Sequence, residues 1–342
     1  MPIIPRNDPM VPMSRLAAAA LALSLLSALP ALALCGGRNL FEDMDPAKRD
    51  SITAAAEAVP FPRGNFWQAV RGEEVITIAG TYHFDDPRHQ ANLDKLKLFI
   101  DDATTVLVES GPEEEKALTD LVAREPARMF ITTGPTLFEQ LPADVWAQLS
   151  DAMSRRGIPG FMAAKFRPWY VLAVLAIPPC AMEQMADPKG LDGMVIDAAL
   201  AAGTPVRALE PHDTIFTLFD SMTDEEILAM LRSTLALEDR SEDHAVTLAD
   251  SYFAGRSREI WEFMRQISYD LPGYTRDQVD AEFARMEELL MNARNRAWIP
   301  VLTRAAQEGP VVAAFGALHL SGEEGVLNLL QEQGFRLTEL KF

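Results

Sequence analysis

The sequence predicts an α/β fold that contains a mixed, largely parallel sheet and a long helical insert. Hydrophobic residues make up 48% and charged residues 24% of the 342 residues, a balance typical of globular proteins. Short apolar strand patterns alternate with helical patterns, which indicates parallel strands with helices packed on the sheet. One long stretch, about 212–308, contains only helical patterns and predicts an insert that forms a cap or second lobe.

In the first half of the chain, two apolar runs rich in β-branched residues predict buried strands. They are VITIA at 75–79 and TTVLV at 104–108. Residues 34–64 are rich in turn-forming residues and are expected to form an N-terminal extension. Helical patterns predict helices over 48–59, 90–102, 114–124, 142–156 and 168–175.

In the second half, Gly203 is expected to end an apolar helix over 191–202, because glycine is a common helix C-terminal stop. Thr223 and Glu226 form a capping box that predicts the start of another helix. The remaining predicted strands are 205–209, 311–315 and 335–340, and the remaining predicted helices are 243–267, 276–307 and 323–333.

The N-terminus carries the features of a secretory signal peptide over residues 1–33. Arg15 precedes an apolar run over 16–29, and Ala31-Leu32-Ala33 supplies a small-residue cleavage site. No apolar run reaches the roughly 18–20 residues that a membrane-spanning helix needs. The sequence therefore predicts a periplasmic or secreted protein without a transmembrane span in the mature chain.

The predicted export bears on the state of the two cysteines, Cys35 and Cys180. An oxidising compartment favours a disulfide between them. The alternative is a lipoprotein anchored at Cys35, since residues 32–35 loosely resemble a lipobox, although Leu34 is a poor fit before the cysteine. Two distant cysteines cannot form a thiolate zinc cage.

The net charge of −19 restricts the classes of partner. Such a surface repels phosphate backbones and anionic lipid, so we expect no nucleic-acid binding.

Two similar segments indicate a functional site. Gly80–His83 (GTYH) and Gly316–His319 (GALH) each follow a predicted strand, and two further strands end at Glu109 and Glu210. Parallel strands deliver their carboxyl ends to one edge of a sheet, so we expect these four side chains to converge. Two imidazoles and one or two carboxylates suit zinc or another divalent metal, whose bound water becomes a nucleophile at neutral pH. A carboxylate that does not bind the metal would be the general base.

Structural roles are the alternative for each residue. A strand-end histidine commonly makes only hydrogen bonds, Glu109 is also suited to helix capping, and Glu210 to a structural contact. The sequence has no HExxH, GxSxG, P-loop or GxGxxG motif, so the nucleotide-binding and α/β-hydrolase classes lack their usual support.

These motifs together resemble the TraB/GumN family, which is related to the Tiki proteins. The paired Gly-x-x-His motifs match its hallmark, and Glu109 resembles its strand-end glutamate. Further matching segments are Arg167-Pro168-Trp169, which has arginine where the family has lysine, Gly190-Leu191-Asp192, Ala293-Arg294-Asn295-Arg296, and the closing segment from His319-Leu320-Ser321-Gly322 to Gly334.

The resemblance covers about residues 65–342 and implies two related α/β halves around a central cleft. Its Tiki relatives imply a metal-dependent protease that uses Mn or Co. By position, His83, His319 and Glu109 become candidate metal ligands. Arg294 and Asn295 become residues that line the cleft and bind substrate or stabilise developing negative charge; helix–helix hydrogen bonding is the alternative. Glu210 has no clear counterpart in the family.

We therefore expect an exported metal-dependent hydrolase, most simply a peptidase that acts on peptides or proteins. The metal would be Mn, Co or Zn, and the candidate catalytic residues are Glu109, Glu210, Arg294 and Asn295. Two alternatives remain: a protein that binds heme or a peptide without turnover, and a metal-free esterase that uses a histidine base.

Overall fold

A computed structural model describes residues 35–186 and 190–341, and it confirms the predicted α/β class. Its centre is one six-stranded mixed sheet with helices on both faces. The strands are β1 (Phe66–Arg71), β2 (Glu74–Thr81), β3 (Thr105–Val108), β4 (Val206–Ala208), β5 (Val311–Gly316) and β6 (Arg336–Glu339). The predicted signal peptide lies outside the described residues.

The order of the strands across the sheet is β4-β3-β5-β2-β1-β6. The first four run parallel to one another, whereas β1 is antiparallel to both β2 and β6. The two strands that precede the Gly-x-x-His histidines are neighbours, with Thr81 of β2 opposite Gly316 of β5. The carboxyl ends of β2, β5 and β3 therefore lie side by side at one edge of the sheet.

The helices occupy the connections between the strands. They are α1 (Pro46–Glu57), α2 (His89–Asp102), α3 (Pro112–Arg124), α4 (Leu137–Gln140), α5 (Ala143–Arg155), α6 (Gly160–Ala163), α7 (Pro168–Leu175), α8 (Leu191–Ala202), α9 (Thr214–Asp220), α10 (Asp224–Leu237), α11 (Ser241–Phe253), α12 (Ser257–Ser268), α13 (Arg276–Glu287), α14 (Ala293–Glu308) and α15 (Val326–Glu332). Between β4 and β5 the regular elements are all helical.

Strand β5 is the centre of the core, because alternate residues face opposite layers. Val311, Ala313 and Phe315 pack with Trp298 and other residues of α14 on one face. Val312 and Ala314 pack on the other face, against helices α2 and α8. The core thereby fixes both α14 and α8 beside the carboxyl edge of the sheet.

Three local features differ from the sequence prediction. Strand β1 was not predicted; it forms a tight hairpin with β2 around Gly72, which has φ +62°. The helix predicted over 243–267 is two helices, because Gly255 adopts φ +67° and ends α11. A π-helical turn, Glu288–Asn292, connects α13 to α14 immediately before Arg294. Such turns widen a helix locally and often occur at functional sites.

The predicted disulfide between Cys35 and Cys180 is confirmed. It joins residues 145 positions apart, so the chain-entropy model assigns it roughly 4–5 kcal/mol of stabilisation. Across the described ranges, every helix is too short or too polar to cross a membrane.

Candidate active site around Gly316

Glycine 316, at the end of β5, is the point on which three predicted site residues converge. A Cβ atom placed on Gly316 would lie 3.3 Å from Oε1 of Glu109, 3.5 Å from Nε2 of His83 and 3.6 Å from Cδ2 of His319. These side chains border a cavity of about 320 Å³, which we name the Gly316 pocket. Residues from three strand ends thus meet in one cleft, as the parallel arrangement predicts.

His319 forms the buried side of the Gly316 pocket and has only 5% of its surface exposed. Its Nδ1 atom is 2.6 Å from Oδ1 of Asn295, and its ring packs on Trp298 with the ring centres 4.4 Å apart. Burial lowers the pKa of His319 to about 3, so the ring is neutral at physiological pH. Since the amide oxygen of Asn295 is an acceptor, Nδ1 carries the proton and Nε2 has a free electron pair.

His83 forms the open side of the pocket, with 60% of its side chain exposed. Its Nδ1 atom is 3.1 Å from Oδ1 of Asp192, in the first turn of α8. Gly190 makes this contact possible, because a Cβ there would collide with the carbonyl of His83. Desolvation lowers the pKa of His83, but the hydrogen bond and charge of Asp192, with the charge of Glu109, raise it to about 9.

Arg294 lies between the two glutamates at the base of the pocket. Its guanidinium donates to Oε2 of Glu109 at 2.5 Å and to both carboxylate oxygens of Glu210, at 2.7 and 2.8 Å. A third nitrogen, Nη1, is 3.3 Å from Nε2 of His319. Trp298, one helical turn after Arg294, also donates to Glu210 at 3.1 Å. This arrangement fixes the guanidinium beside both His319 and Glu109.

Both carboxylate oxygens of Glu109 accept hydrogen bonds. Arg294 donates to Oε2, and the backbone N–H of Gly316 donates to Oε1 at 2.6 Å. Burial acts to raise the pKa of this carboxyl, but His319, Arg294, His83 and the Gly316 N–H hold it at about 2. Because His319 is neutral near pH 7, the charges of Arg294 and His83 keep Glu109 ionised there. None of Glu109, His83 and His319 therefore titrates near neutrality, where a general base is most effective.

The structure brings His83, Glu109, Arg294 and His319 to the Gly316 pocket, and Glu210 contacts this group through Arg294. Asn295 was expected to line the cleft and contact the substrate, but the structure places it elsewhere. It is 1% exposed, lies behind His319, and its amide donates to the carbonyl of Glu324 at 2.8 Å.

Two residues that the sequence analysis did not assign also shape the site. Asp192 binds the ring of His83, and Trp298 supports both Glu210 and His319. The sequence contained a pattern that could have indicated each residue. Asp192 follows Gly190 at a helix start, and Trp298 is four residues after Arg294 on one helix face.

The donor set and its geometry have different implications for a metal. Two imidazoles and a carboxylate are a suitable donor set for a divalent transition metal. Within residues 35–186 and 190–341, however, no three histidine, cysteine or acidic side chains are grouped closely enough to hold an ion. At this site the guanidinium of Arg294 contacts both Nε2 of His319 and Oε2 of Glu109.

Comparisons with known proteins place this fold and site in a family. No curated protein matches the chain significantly. The sequence does match the TraB/PrgY/gumN family over residues 65–339, which include both Gly-x-x-His motifs and every residue of the site described above. That match covers most of the chain, and the chain therefore belongs to the TraB/PrgY/gumN family.

Proposed function

We propose that this protein is a metal-dependent hydrolase that cleaves peptide bonds in the Gly316 pocket, with His83, His319 and Glu109 as the metal ligands. The observation that carries the proposal is the paired arrangement of the two imidazoles. Each ring has its Nδ1 atom held by a side-chain oxygen, Asp192 for one and Asn295 for the other. Histidines that bind metals typically have this arrangement, with Nε2 directed to the ion. Since the pKa of His83 is about 9, binding at neutral pH would also displace the proton from its Nε2.

Binding of an ion requires one rearrangement. The guanidinium of Arg294 would have to give up its contacts with Nε2 of His319 and with Glu109. Its two bonds to Glu210 would retain it at the edge of the pocket. When bound, a divalent ion supplies a water of lowered pKa as the nucleophile.

The chain's own residues would then prepare the substrate. Arg294, retained by Glu210, presents a permanent positive charge to the pocket and would stabilise negative charge on the carbonyl oxygen under attack. Glu210 acts as a positioning residue, because both its oxygens are used by Arg294 and one also by Trp298. Asn295 likewise positions His319 and fixes its tautomer.

The proposal is tested by metal uptake and cleavage measured on the same preparations. We expect the protein to bind Mn²⁺, Co²⁺ or Zn²⁺ in a titration and to cleave members of a peptide library, with activity lost to a chelator and restored by the ion. The His83→Ala and His319→Ala variants should lose both properties. His212→Ala is the matched control, because this histidine lines neither the Gly316 pocket nor the apolar cavity that adjoins it.

Two outcomes would overturn the proposal. Equal metal uptake by the wild type and by both pocket variants would exclude these ligands. Hydrolysis that survives the chelator would instead favour the metal-free esterase.

A binding protein without turnover is the second candidate, and one observation favours it. Arg294 already contacts Glu109, Glu210 and His319 in the described arrangement, so these three side chains have a hydrogen-bonding partner without an ion. Saturable binding of a peptide or heme, with no cleavage in the presence of any of the three ions, would support this candidate.

A further inference from the structure

We infer that a second cavity, beside the Gly316 pocket, is a subsite that accepts a large apolar side chain of the peptide substrate. This inference rests on the proposed function and names the substrate class for that site. The cavity has a volume of about 330 Å³ and lies among helices α7 and α10 to α13; we name it the helical cavity. It adjoins the Gly316 pocket, because Tyr82, Phe84, Leu248 and Ile260 line both.

The position of the shared wall connects the helical cavity to the reaction. Tyr82 and Phe84 are the chain neighbours of His83, so the same segment that presents the imidazole also borders the apolar space. A substrate whose carbonyl lies at the Gly316 pocket would therefore have the helical cavity next to the residue that flanks the scissile bond.

The lining of the helical cavity is apolar and adaptable. Phe263 and Phe283 supply aromatic surface, and three methionines, Met230, Met264 and Met286, come from three different helices. Methionine side chains are flexible and polarizable, so they fit apolar groups of varied shape. This chemistry favours a phenylalanine, leucine or methionine side chain over a polar one.

The few charged groups at the helical cavity are unsuited to binding a charged ligand. Glu238 is bonded through both oxygens to Arg156, at 2.6 and 3.0 Å. Desolvation raises the pKa of Glu282 and lowers that of His244, which are the directions expected in an apolar environment. An aspartate side chain would lose its hydration here and face the carboxyl of Glu282, and a lysine would find only that carboxyl, whose pKa desolvation has raised.

The helical cavity is large enough for an aromatic side chain. Its 330 Å³ corresponds to roughly eleven water volumes at about 30 Å³ each. An aromatic or long aliphatic side chain fits this volume, and an alanine side chain would leave most of it empty.

The first test is a series of peptides that differ only in the residue on either side of the cleaved bond. We expect kcat/KM to be about 10- to 100-fold higher with phenylalanine or leucine than with alanine at one flanking position, because burial of such a side chain favours binding by that factor. Aspartate and lysine should be worse than alanine. Equal kcat/KM for all five residues would overturn the subsite.

Variants that change the volume of the cavity provide the second test. Ala245→Phe should lower kcat/KM for the phenylalanine peptide to the value of the alanine peptide, without changing Mn²⁺ uptake. Met264→Ala should shift the preference toward tryptophan. The matched control is Ala123→Phe, at an exposed position of α3, and thermal denaturation checks that each variant is folded. Unchanged selectivity in both folded cavity variants would also overturn the subsite.

A binding measurement separates this inference from the proposed function. The same peptides are titrated into the His83→Ala variant, which should not turn them over and whose exposed position leaves the core intact. Tighter binding of the phenylalanine peptide, with no cleavage by the wild type, would support the subsite and contradict the hydrolase. Cleavage by the wild type without any apolar preference would do the reverse. Binding of decanoate in the helical cavity, with no discrimination among the peptides, would show that the cavity accepts an acyl chain and not a peptide side chain. This outcome would overturn the inference.

Discussion

The two Gly-x-x-His segments follow neighbouring parallel strands, yet their histidines lie in opposite environments. His319 is 5% exposed, packs on Trp298 and is bonded to a neutral amide. His83 has 60% of its side chain exposed and is bonded to the carboxylate of Asp192. Burial lowers the pKa of His319 to about 3, whereas the acidic neighbours of His83 raise its pKa to about 9.

The difference originates in the elements that cover each segment. Helix α14 packs on one face of the sheet and places Asn295 and Trp298 directly over His319. The start of α8 contacts His83 from one side only, through Gly190 and Asp192. One histidine is therefore part of the core, and the other belongs to an open rim that a substrate can reach.

The largest expected effect is on the buried side, at Trp298. This side chain is fully buried and contacts both Phe315 and His319. Trp298→Ala should lower the free energy of unfolding by about 3–5 kcal/mol, because it leaves a cavity in the core. Urea denaturation measures the change. Trp298→Phe is the control, since it keeps an aromatic ring, and it should cost clearly less. A loss under about 1 kcal/mol for the alanine variant would mean that His319 does not depend on core packing.

A smaller effect is expected at Asn295. Asn295→Leu removes the acceptor of the His319 Nδ1–H and should lower the free energy of unfolding by about 1–3 kcal/mol, the cost of leaving a buried donor unpaired. Nitrogen NMR of the imidazole should also report a changed tautomer population. Gln331→Leu, at an exposed position of α15, should stay within about 0.5 kcal/mol of wild type. Unchanged stability together with an unchanged tautomer would contradict the positioning role.

These contacts mark the limit of what the sequence could predict. Strand ends at His83, Glu109 and His319 follow from local apolar patterns, and their convergence follows from the parallel sheet. The contact between Asn295 and His319 depends on how α14 packs, which no local period encodes. The same holds for the contacts of Arg294 with both Glu109 and His319. Strand β1 was not predicted, because the feature that identifies it as a strand is its pairing with β2 and β6, which the local sequence does not show.

The next prediction concerns the open side of the pocket, where the expected effect is on the pKa of His83 more than on the free energy of unfolding. Asp192→Asn removes the carboxylate charge beside His83 and should lower the pKa of that ring from about 9 toward its ordinary value near 6.5. Proton NMR titration of the ring, with a chelator present, measures this shift. Asp197→Asn is the control, on an exposed position of the same helix.

Linkage gives the sign of the accompanying stability change. Since the fold raises the pKa of His83, its contribution to stability is fully present below about pH 6.5 and is lost as the pH rises through about 9. The wild type should therefore lose a small part of its stability over this window that Asp192→Asn does not lose. An identical pH dependence in the two proteins would show that Asp192 does not hold the proton on His83.

The smallest expected effect on stability is at His83 itself, and this makes His83 the sharper probe of function. With 60% of its side chain exposed, His83→Ala should change the free energy of unfolding by no more than about 0.5 kcal/mol above about pH 9, where the stabilisation from its raised pKa is lost. His319→Ala removes a buried ring that packs on Trp298 and should cost considerably more. If the two histidines share an ion, the two variants should nevertheless lose Mn²⁺ uptake equally. Loss of uptake in His319→Ala alone would assign the effect to core damage. The two histidines differ widely in burial, so equal losses are expected only if both bind the same ion.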